Sequence, residues 1–177
     1  MTLPLTQASI ATFTQTLNAM SAWLDKAEAH CTAKKVDGAV LAATRLALDM
    51  LPLSRQVLIA CDFAKNTPAR LAGIEPPKFD DNEKTLPELK ARIEKTLAYV
   101  QTVPASAVDA GATREINFPM GPQNKGTMKG ADYLAHYALP NFFFHSSMTY
   151  AILRHCGVEL GKRDFMGNVP GLAIQGA

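Results

Sequence analysis

The sequence predicts an all-α protein that folds as a four-helix bundle. Four long segments carry apolar residues at alternating spacings of three and four, which is typical of helices with one buried face. No series of strand-like segments competes with this pattern. Apolar residues form 47% of the 177 residues, which is enough for one domain with its own core. We therefore expect a single bundle domain over residues 1–177.

The first and last helices follow from their apolar residues and their end signals. The first begins near Thr6 or Ser9, whose hydroxyls are suited to capping a helix, and ends within residues 30–35. The last covers residues 141–156, and Gly157 is its stop signal. Because this last helix is apolar on all sides, we expect it to be deeply buried.

The second helix is predicted over residues 37–65, with a proline inside it. Because Pro52 lacks the backbone donor that a helix interior needs, we expect a kink at residues 48–51. Pro68 then indicates the first position of a separate short turn, which ends at Gly73.

The third helix has the clearest start signal. Thr85 and Glu88 have the spacing of a capping box, and Pro104 ends the helix. Residues 114–128 alternate enough for a short hairpin, although an irregular loop suits them equally well. A short helix is predicted over residues 131–138.

Charge and cysteine content exclude several classes of protein. The formal net charge is +2, which argues against a nucleic-acid partner, and no apolar run reaches the length of a membrane span. The first residues do not resemble a secretion signal, so we expect a cytoplasmic protein. Cys31, Cys61 and Cys156 are far apart and form no CxxC pair, so we expect three reduced thiols that pack as small apolar side chains.

Polar residues on the inner helix faces are the candidates for chemistry, because bundle proteins build their sites there. Asp49 lies at the edge of the inner face of the predicted second helix. Asn141 and His145 share a face of the last helix, one turn apart, and Tyr150 follows on the same helix. Asp49, His145 and Tyr150 are the candidates for acid–base catalysis. The structural alternative is an ion pair from Asp49 to a nearby arginine and a hydrogen-bonded core histidine.

The same positions supply the candidate metal ligands, which are Asp49, Asn141 and His145. None of the spacings HExxH, HxxxH or ExxH occurs, and no Cys–His cluster occurs. Catalytic metal sites usually have three protein ligands, so the spacing alone does not support a metal.

Four segments of the sequence resemble a family of small uncharacterised proteins. They are LDKAEAH (24–30), TRLALDMLPLSRQV (44–57), ARLAG (69–73) and LPNFFFHSSMTYAILRHCGVELGKRDFMG (139–167). That family belongs to the DinB/YfiT-like superfamily of four-helix bundles, whose members are described as metalloenzymes. The resemblance covers residues 3–167 and implies the same bundle fold.

The resemblance implies a divalent metal, such as nickel or zinc, held by one histidine from the second helix and an HxxxH pair on the last. His145 matches the second histidine of that pair, Asn141 stands at the first, and the remaining position falls at or near Asp49. Because Asn141 and Asp49 replace two of the three histidines, the resulting ligand set is better suited to a harder cation than nickel or zinc. We expect a degenerate site in which Asp49 and His145 form a buried hydrogen-bonded pair; retained metal binding or acid–base work is the alternative.

Three functions are open at this point. The first is a bundle protein with a small-molecule pocket around Asp49, Asn141 and His145. The second, implied by the resemblance, is a divalent-metal-dependent enzyme that transfers thiols or acts as an isomerase or hydrolase. The third is a non-catalytic interaction or stress protein. Relatives of this type often pair through their bundles, so we expect a homodimer, with residues 139–145 as one source of apolar contact area.

Overall fold

The computed structural model describes residues 3–121 and 123–173. Two strands, β1 (Glu115–Met120) and β2 (Asn124–Lys129), pair as an antiparallel hairpin that joins Glu115 to Lys129 and Met120 to Asn124. Two π-helical turns cover Gln7–Ala11 and Tyr133–Ala138. In chain order the helices are α1 (Thr12–Lys34), α2 (Gly38–Ala42), α3 (Leu53–Ala72), α4 (Leu86–Thr102), α5 (Ala105–Asp109), α6 (Gly130–Asp132), α7 (Leu139–His155) and α8 (Lys162–Met166).

The four long helices α1, α3, α4 and α7 form the predicted bundle. α1 packs against α4 and α7, and α3 packs against the same two helices from the other side. The core between them is apolar, and its largest fully buried side chains are Trp23, Tyr133, Phe13, Phe142, Leu17 and Met20. In the described segments, no helix is long and apolar enough to cross a membrane.

The prediction of one continuous second helix is wrong for the residues between α2 and α3. Residues 43–52 leave the bundle as an irregular segment, and α3 begins after Pro52, whose backbone is extended. Leu46, which its spacing to Leu53 places on the buried stripe of the predicted helix, is exposed, and Leu48 in the same segment is fully exposed. The predicted helix is therefore interrupted rather than kinked: α2 ends at Ala42, and α3 starts only after Pro52, which has no N–H to continue the ladder.

Several helix boundaries differ from those that the capping residues and prolines of the sequence predict. Pro68 lies inside α3, so the predicted separate turn does not form there, although Gly73 ends the helix in a left-handed conformation as expected. Neither Thr6 nor Ser9 caps the first helix; the Ser9 hydroxyl donates to the carbonyl of Leu5 instead. Helical structure runs from α6 through the π-helical turn into α7, with Pro140 in its first turn.

The capping box is confirmed, and of the two alternatives for residues 114–128 the hairpin is the one that forms. Thr85 accepts a hydrogen bond from the backbone N–H of Glu88, whose carboxylate accepts one from the N–H of Thr85. The hairpin is held to the end of α3 by Arg114, whose Nε donates to the Leu71 carbonyl at 3.0 Å. A Cβ atom at Gly130 would lie 2.1 Å from a backbone oxygen, so only glycine permits this approach.

The C-terminal segment packs against α1. Trp23 on α1 donates its indole N–H to the carbonyl of Asp164 at 2.7 Å and stacks on Phe165. Lys26 pairs with the Asp164 carboxylate, which also accepts a hydrogen bond from the backbone of Gly161. These contacts fasten α8 to α1.

Arg92 on α4 is the centre of a buried ion-pair network. Its side chain is 1% exposed and lies within 3.1 Å of the carboxylates of Asp62, Asp81 and Glu83. It also donates to the carbonyl of Asp80 at 2.8 Å. The network ties the connection between α3 and α4 to both helices.

A cation–π cluster completes this attachment. Lys65, Arg92 and Lys95 stand over the ring of Phe79, at 4.5, 5.0 and 4.1 Å from its centroid. Lys65 also donates to the carbonyl of Pro77 at 2.9 Å. The connection is therefore ordered by charge and aromatic contacts rather than by regular structure.

Replacing Arg92 by methionine should destabilise the protein by about 3 kcal/mol, because three carboxylates lose their buried partner. Urea unfolding followed by circular dichroism measures the change. The matched control is Arg55→Met, which removes an exposed arginine from the same Asp81 carboxylate and should change stability by about 1 kcal/mol or less. Equal effects of the two substitutions would contradict the importance of burial.

Candidate functional site

His145 on α7 meets Gln56 on α3 at the face where these two helices pack. The Nδ1 atom of His145 lies 2.7 Å from Oε1 of Gln56. Gln56 is 1% exposed, and its Nε2 donates to the carbonyl of Leu51 at 3.1 Å. Because Leu51 fixes which end of the amide is the donor, Gln56 presents its oxygen to the histidine.

This contact determines where the imidazole proton sits. An amide oxygen only accepts, so Nδ1 of His145 carries the hydrogen and Nε2 carries the lone pair. No side chain in residues 3–121 or 123–173 forms a hydrogen bond with that Nε2 atom. The site therefore offers one free ring nitrogen as an acceptor or a ligand.

Aromatic side chains surround the His145 ring. Phe63 lies nearly parallel to it with centroids 6.3 Å apart, and Phe144 meets it edge to face at 5.2 Å. Burial among these groups lowers the pKa of His145 to about 4, because the charged form loses its hydration. The ring is therefore neutral at physiological pH.

Asn141 lies one turn before His145, as predicted, and is half-buried. Its Nδ2 donates to the carbonyl of Tyr137 at 2.7 Å, which leaves its Oδ1 as an acceptor on the same helix face as the imidazole. α7 therefore supplies one nitrogen and one oxygen acceptor at adjacent turns.

The predicted position of Asp49 is wrong. It lies in an exposed turn of the segment between α2 and α3, not on an inner helix face. The expected buried pair of Asp49 with His145 does not form, and Gln56 takes the place of the carboxylate. The physical reason is the break before Pro52, which removes residues 43–52 from the helix that the spacing had assumed.

Tyr150 belongs to a different cluster. Its ring meets Trp23 and Phe165 edge to face, with centroids 5.6 and 5.5 Å apart. Its hydroxyl lies 3.5 Å from the Leu160 carbonyl. Tyr150 thus helps to hold the C-terminal segment, and its contacts supply no group to the His145 site.

The described residues do not fit a three-ligand metal site. No group of three or more His, Cys, Asp or Glu side chains in them is arranged to hold a metal ion. His145 and Asn141 offer two donors, and the third position expected from the family resemblance is the exposed Asp49. The chemistry of this donor set does not match that of a nickel or zinc centre.

The cysteines behave as small apolar side chains in the described structure. All three are free, and Cys31 and Cys61 are buried. Burial raises the pKa of Cys61 to about 12, so its thiol stays protonated at neutral pH.

Gln56 is a site residue that the sequence pattern alone did not single out. It follows Leu53 by three positions and precedes Ala60 by four, so it shares their inward face. A polar residue within an apolar stripe is the signal that led to His145, and the same signal identifies Gln56 once the helix is known to begin at Leu53.

Comparison with known proteins agrees with this fold. A family model described as "Domain of unknown function (DUF1993)" matches residues 5–166, which is most of the chain. The chain belongs to the DUF1993 family. This DUF1993 protein is also similar to a DinB family member from Shewanella denitrificans, whose crystal structure was determined at 1.83 Å, with 41% identity and a TM-score of 0.87 over 96% of each chain. Among curated proteins, no match was found.

Folding stability of the DUF1993 protein should fall between pH 6.5 and 4 because of His145. Its pKa is about 4 in the folded state and 6.5 for a free histidine, so only the unfolded chain binds this proton within that window. Above pH 6.5 the ring is neutral in both states, so it does not make stability depend on pH. Between pH 6.5 and 4 the free energy of unfolding falls by about 3 kcal/mol in total.

Urea unfolding at intervals of half a pH unit measures this dependence. His145→Gln should remove the loss, whereas His155→Gln, which deletes an exposed histidine of the same helix, should keep it. A wild-type profile that is flat from pH 6.5 to 4 would show that the His145 ring is not held neutral.

Proposed function

We propose that this DUF1993 protein binds a small molecule through His145, at a position where the superfamily's metal site has degenerated. The observation that carries the proposal is the hydrogen bond from His145 Nδ1 to Gln56 Oε1. It holds the ring in one tautomer and directs a neutral nitrogen lone pair away from α3. A preset acceptor favours a ligand with a hydrogen-bond donor.

The chemistry of the site favours binding over proton abstraction. A base with a pKa of about 4 is too weak to remove protons efficiently at neutral pH, but it remains a good hydrogen-bond acceptor. Phe63 and Phe144 provide apolar surfaces beside it. An aromatic molecule with one O–H or N–H group matches this combination.

A divalent-metal-dependent enzyme is the less supported function. Transfer, isomerisation or hydrolysis at a metal would need further ligands beyond His145 and Asn141, since Asp49 lies in an exposed turn. An amide oxygen and one imidazole suit a harder cation better than nickel or zinc, so the metal experiment must include magnesium and manganese.

Phenol and anisole test the proposed binding. They differ in whether the ring oxygen carries a hydrogen, so a lone-pair acceptor distinguishes them. Phenol should shift the backbone NMR signals around His145 and bind at least about threefold more tightly than anisole, as expected for one neutral hydrogen bond. In His145→Phe, which keeps an aromatic ring but loses the acceptor, this preference should disappear.

Elemental analysis of untagged protein separates binding from metal chemistry. We expect no stoichiometric metal in the purified protein. When zinc, nickel, manganese or magnesium is added, we also expect no metal binding that depends on His145. Stoichiometric metal that is lost in His145→Ala would overturn the degenerate-site interpretation and favour the metalloenzyme.

Self-association is a second candidate property, supported by exposed apolar side chains. Leu46 and Leu51 are partly exposed, Leu48 is fully exposed, and Phe143 and Phe144 are 38% and 52% exposed on α7. The last helix, which we expected to be deeply buried, therefore exposes part of its apolar surface. Exposed large apolar residues of this kind are typical of interaction surfaces.

Light scattering coupled to size exclusion tests the proposed homodimer. The wild-type protein should elute with about twice the chain mass of 19.1 kDa. Leu48→Ser and Phe144→Ser should shift the equilibrium toward the monomer, whereas Leu172→Ser, an exposed leucine near the C-terminus, should not. A wild-type monomer at high micromolar concentration would contradict the dimer.

A further inference from the structure

A cavity of about 530 Å³ lies where the C-terminal ends of α1 and α7 meet α2. Its volume is within the range of small-molecule binding sites in proteins. Cys156, at one side of it, follows His145 by eleven residues, or about 16 Å of helix rise. The cavity is therefore separate from the His145 site, and a ligand bound in it is independent of the proposed function.

We propose that this cavity binds a small amphipathic monoanion, with the chemistry of a medium-chain carboxylate. Its apolar part would lie against the side chains of α2 and the two thiols. Its charged group would lie at the basic rim formed by α1. Nothing in the His145 site contributes to this binding.

The apolar part of the cavity is formed by α2 and the turn before it. Val36, Val40 and Leu41 line it. Leu41 is buried, whereas Val36 and Val40 are exposed at 47% and 61%, so the cavity has an apolar floor and an open apolar wall. An aliphatic or aromatic group placed there would remove this exposed surface from water.

Two thiols extend the apolar surface without adding charge. Cys31 on α1 and Cys156 after α7 both line the cavity. Burial raises the pKa of each thiol, and the negative charges of Asp37 and Glu28 raise that of Cys31 further. Both thiols are therefore protonated at neutral pH and would not repel an anion.

The rim of the cavity carries the positive charge of Lys34 on α1. His30 and Lys34 are one turn apart on α1, so they lie on the same face of the helix. No Asp or Glu is among the described residues that line this cavity. The acidic residues Glu28 and Asp37 line a neighbouring one.

The basic rim also borders a second depression, of about 480 Å³. His30, Lys34 and Gly157 line both cavities, and Lys26 and Glu159 line the second. Lys26 is already paired with Asp164, whereas the charged group of Lys34 forms no ion pair within residues 3–121 and 123–173. Lys34 is thus the cation available to an anionic group.

Gly157 brings the end of α7 close to this rim. Its φ of +87° is in the left-handed region, and a Cβ atom there would lie 3.5 Å from Cε1 of His30. The backbone turn after α7 therefore packs against the imidazole. This contact fixes the position of His30 between the two cavities.

NMR titration with sodium octanoate tests the proposal, with 1-octanol as the uncharged counterpart. Octanoate should shift the backbone signals of Cys31, Thr44 and Gly157, and it should bind more tightly than octanol. Lys34→Glu should weaken octanoate binding by at least about fivefold and leave octanol binding unchanged. The matched control, Lys129→Glu on the hairpin, makes the same charge change outside the cavity and should have no effect.

Two further variants keep the test independent of folding defects and of the His145 site. Val40→Trp fills the cavity from an exposed position, should leave the circular dichroism spectrum unchanged, and should abolish binding of both probes. His145→Ala should leave octanoate binding intact. Equal affinity for octanoate and octanol, shifts confined to residues 46–51 and 143–144, or no effect of Lys34→Glu would each overturn the proposal.

Discussion

The end of the helical path before Pro52 is the constraint on which the rest of the site depends. α2 ends at Ala42, residues 43–52 leave the bundle, and α3 begins at Leu53 because Pro52 has no N–H with which a helix could continue back through it. The carbonyl of Leu51 is then free to accept from Gln56, which orients its amide toward His145. One backbone restriction thus sets the tautomer of a histidine on another helix.

The same constraint distributes the apolar residues of the chain. Leu46, which a continuous helix would have buried, stays in contact with water, as does Leu48 in the same segment. The bundle does not need them, because α1, α3, α4 and α7 already enclose a core of aromatic and aliphatic side chains. The exposed segment is therefore available for contacts with another molecule. Exposed apolar side chains of this kind are typical of interaction surfaces.

Two buried polar side chains, Arg92 and Gln56, lie among several hydrogen-bond partners. Arg92 has three carboxylates and a carbonyl, and Gln56 has a ring nitrogen and a carbonyl. His145 is half-buried as a neutral ring, which avoids the larger cost of burying a charge. Hydrogen bonds, ion pairs and a neutral ring thus allow these polar groups to lie within an apolar bundle.

Local sequence was enough to predict the class of fold and the capping box at Thr85, and it offered the hairpin as one of two alternatives, because each depends on neighbours within a few residues along the chain. The environments of Asp49, Tyr150 and Gln56 emerged only from the tertiary structure. They depend on where a helix begins and which helices then face each other, and the same apolar spacing was compatible with a kinked helix or a broken one. Local periodicity gives the face of a helix once the helix exists, whereas long-range packing decides whether a residue belongs to it.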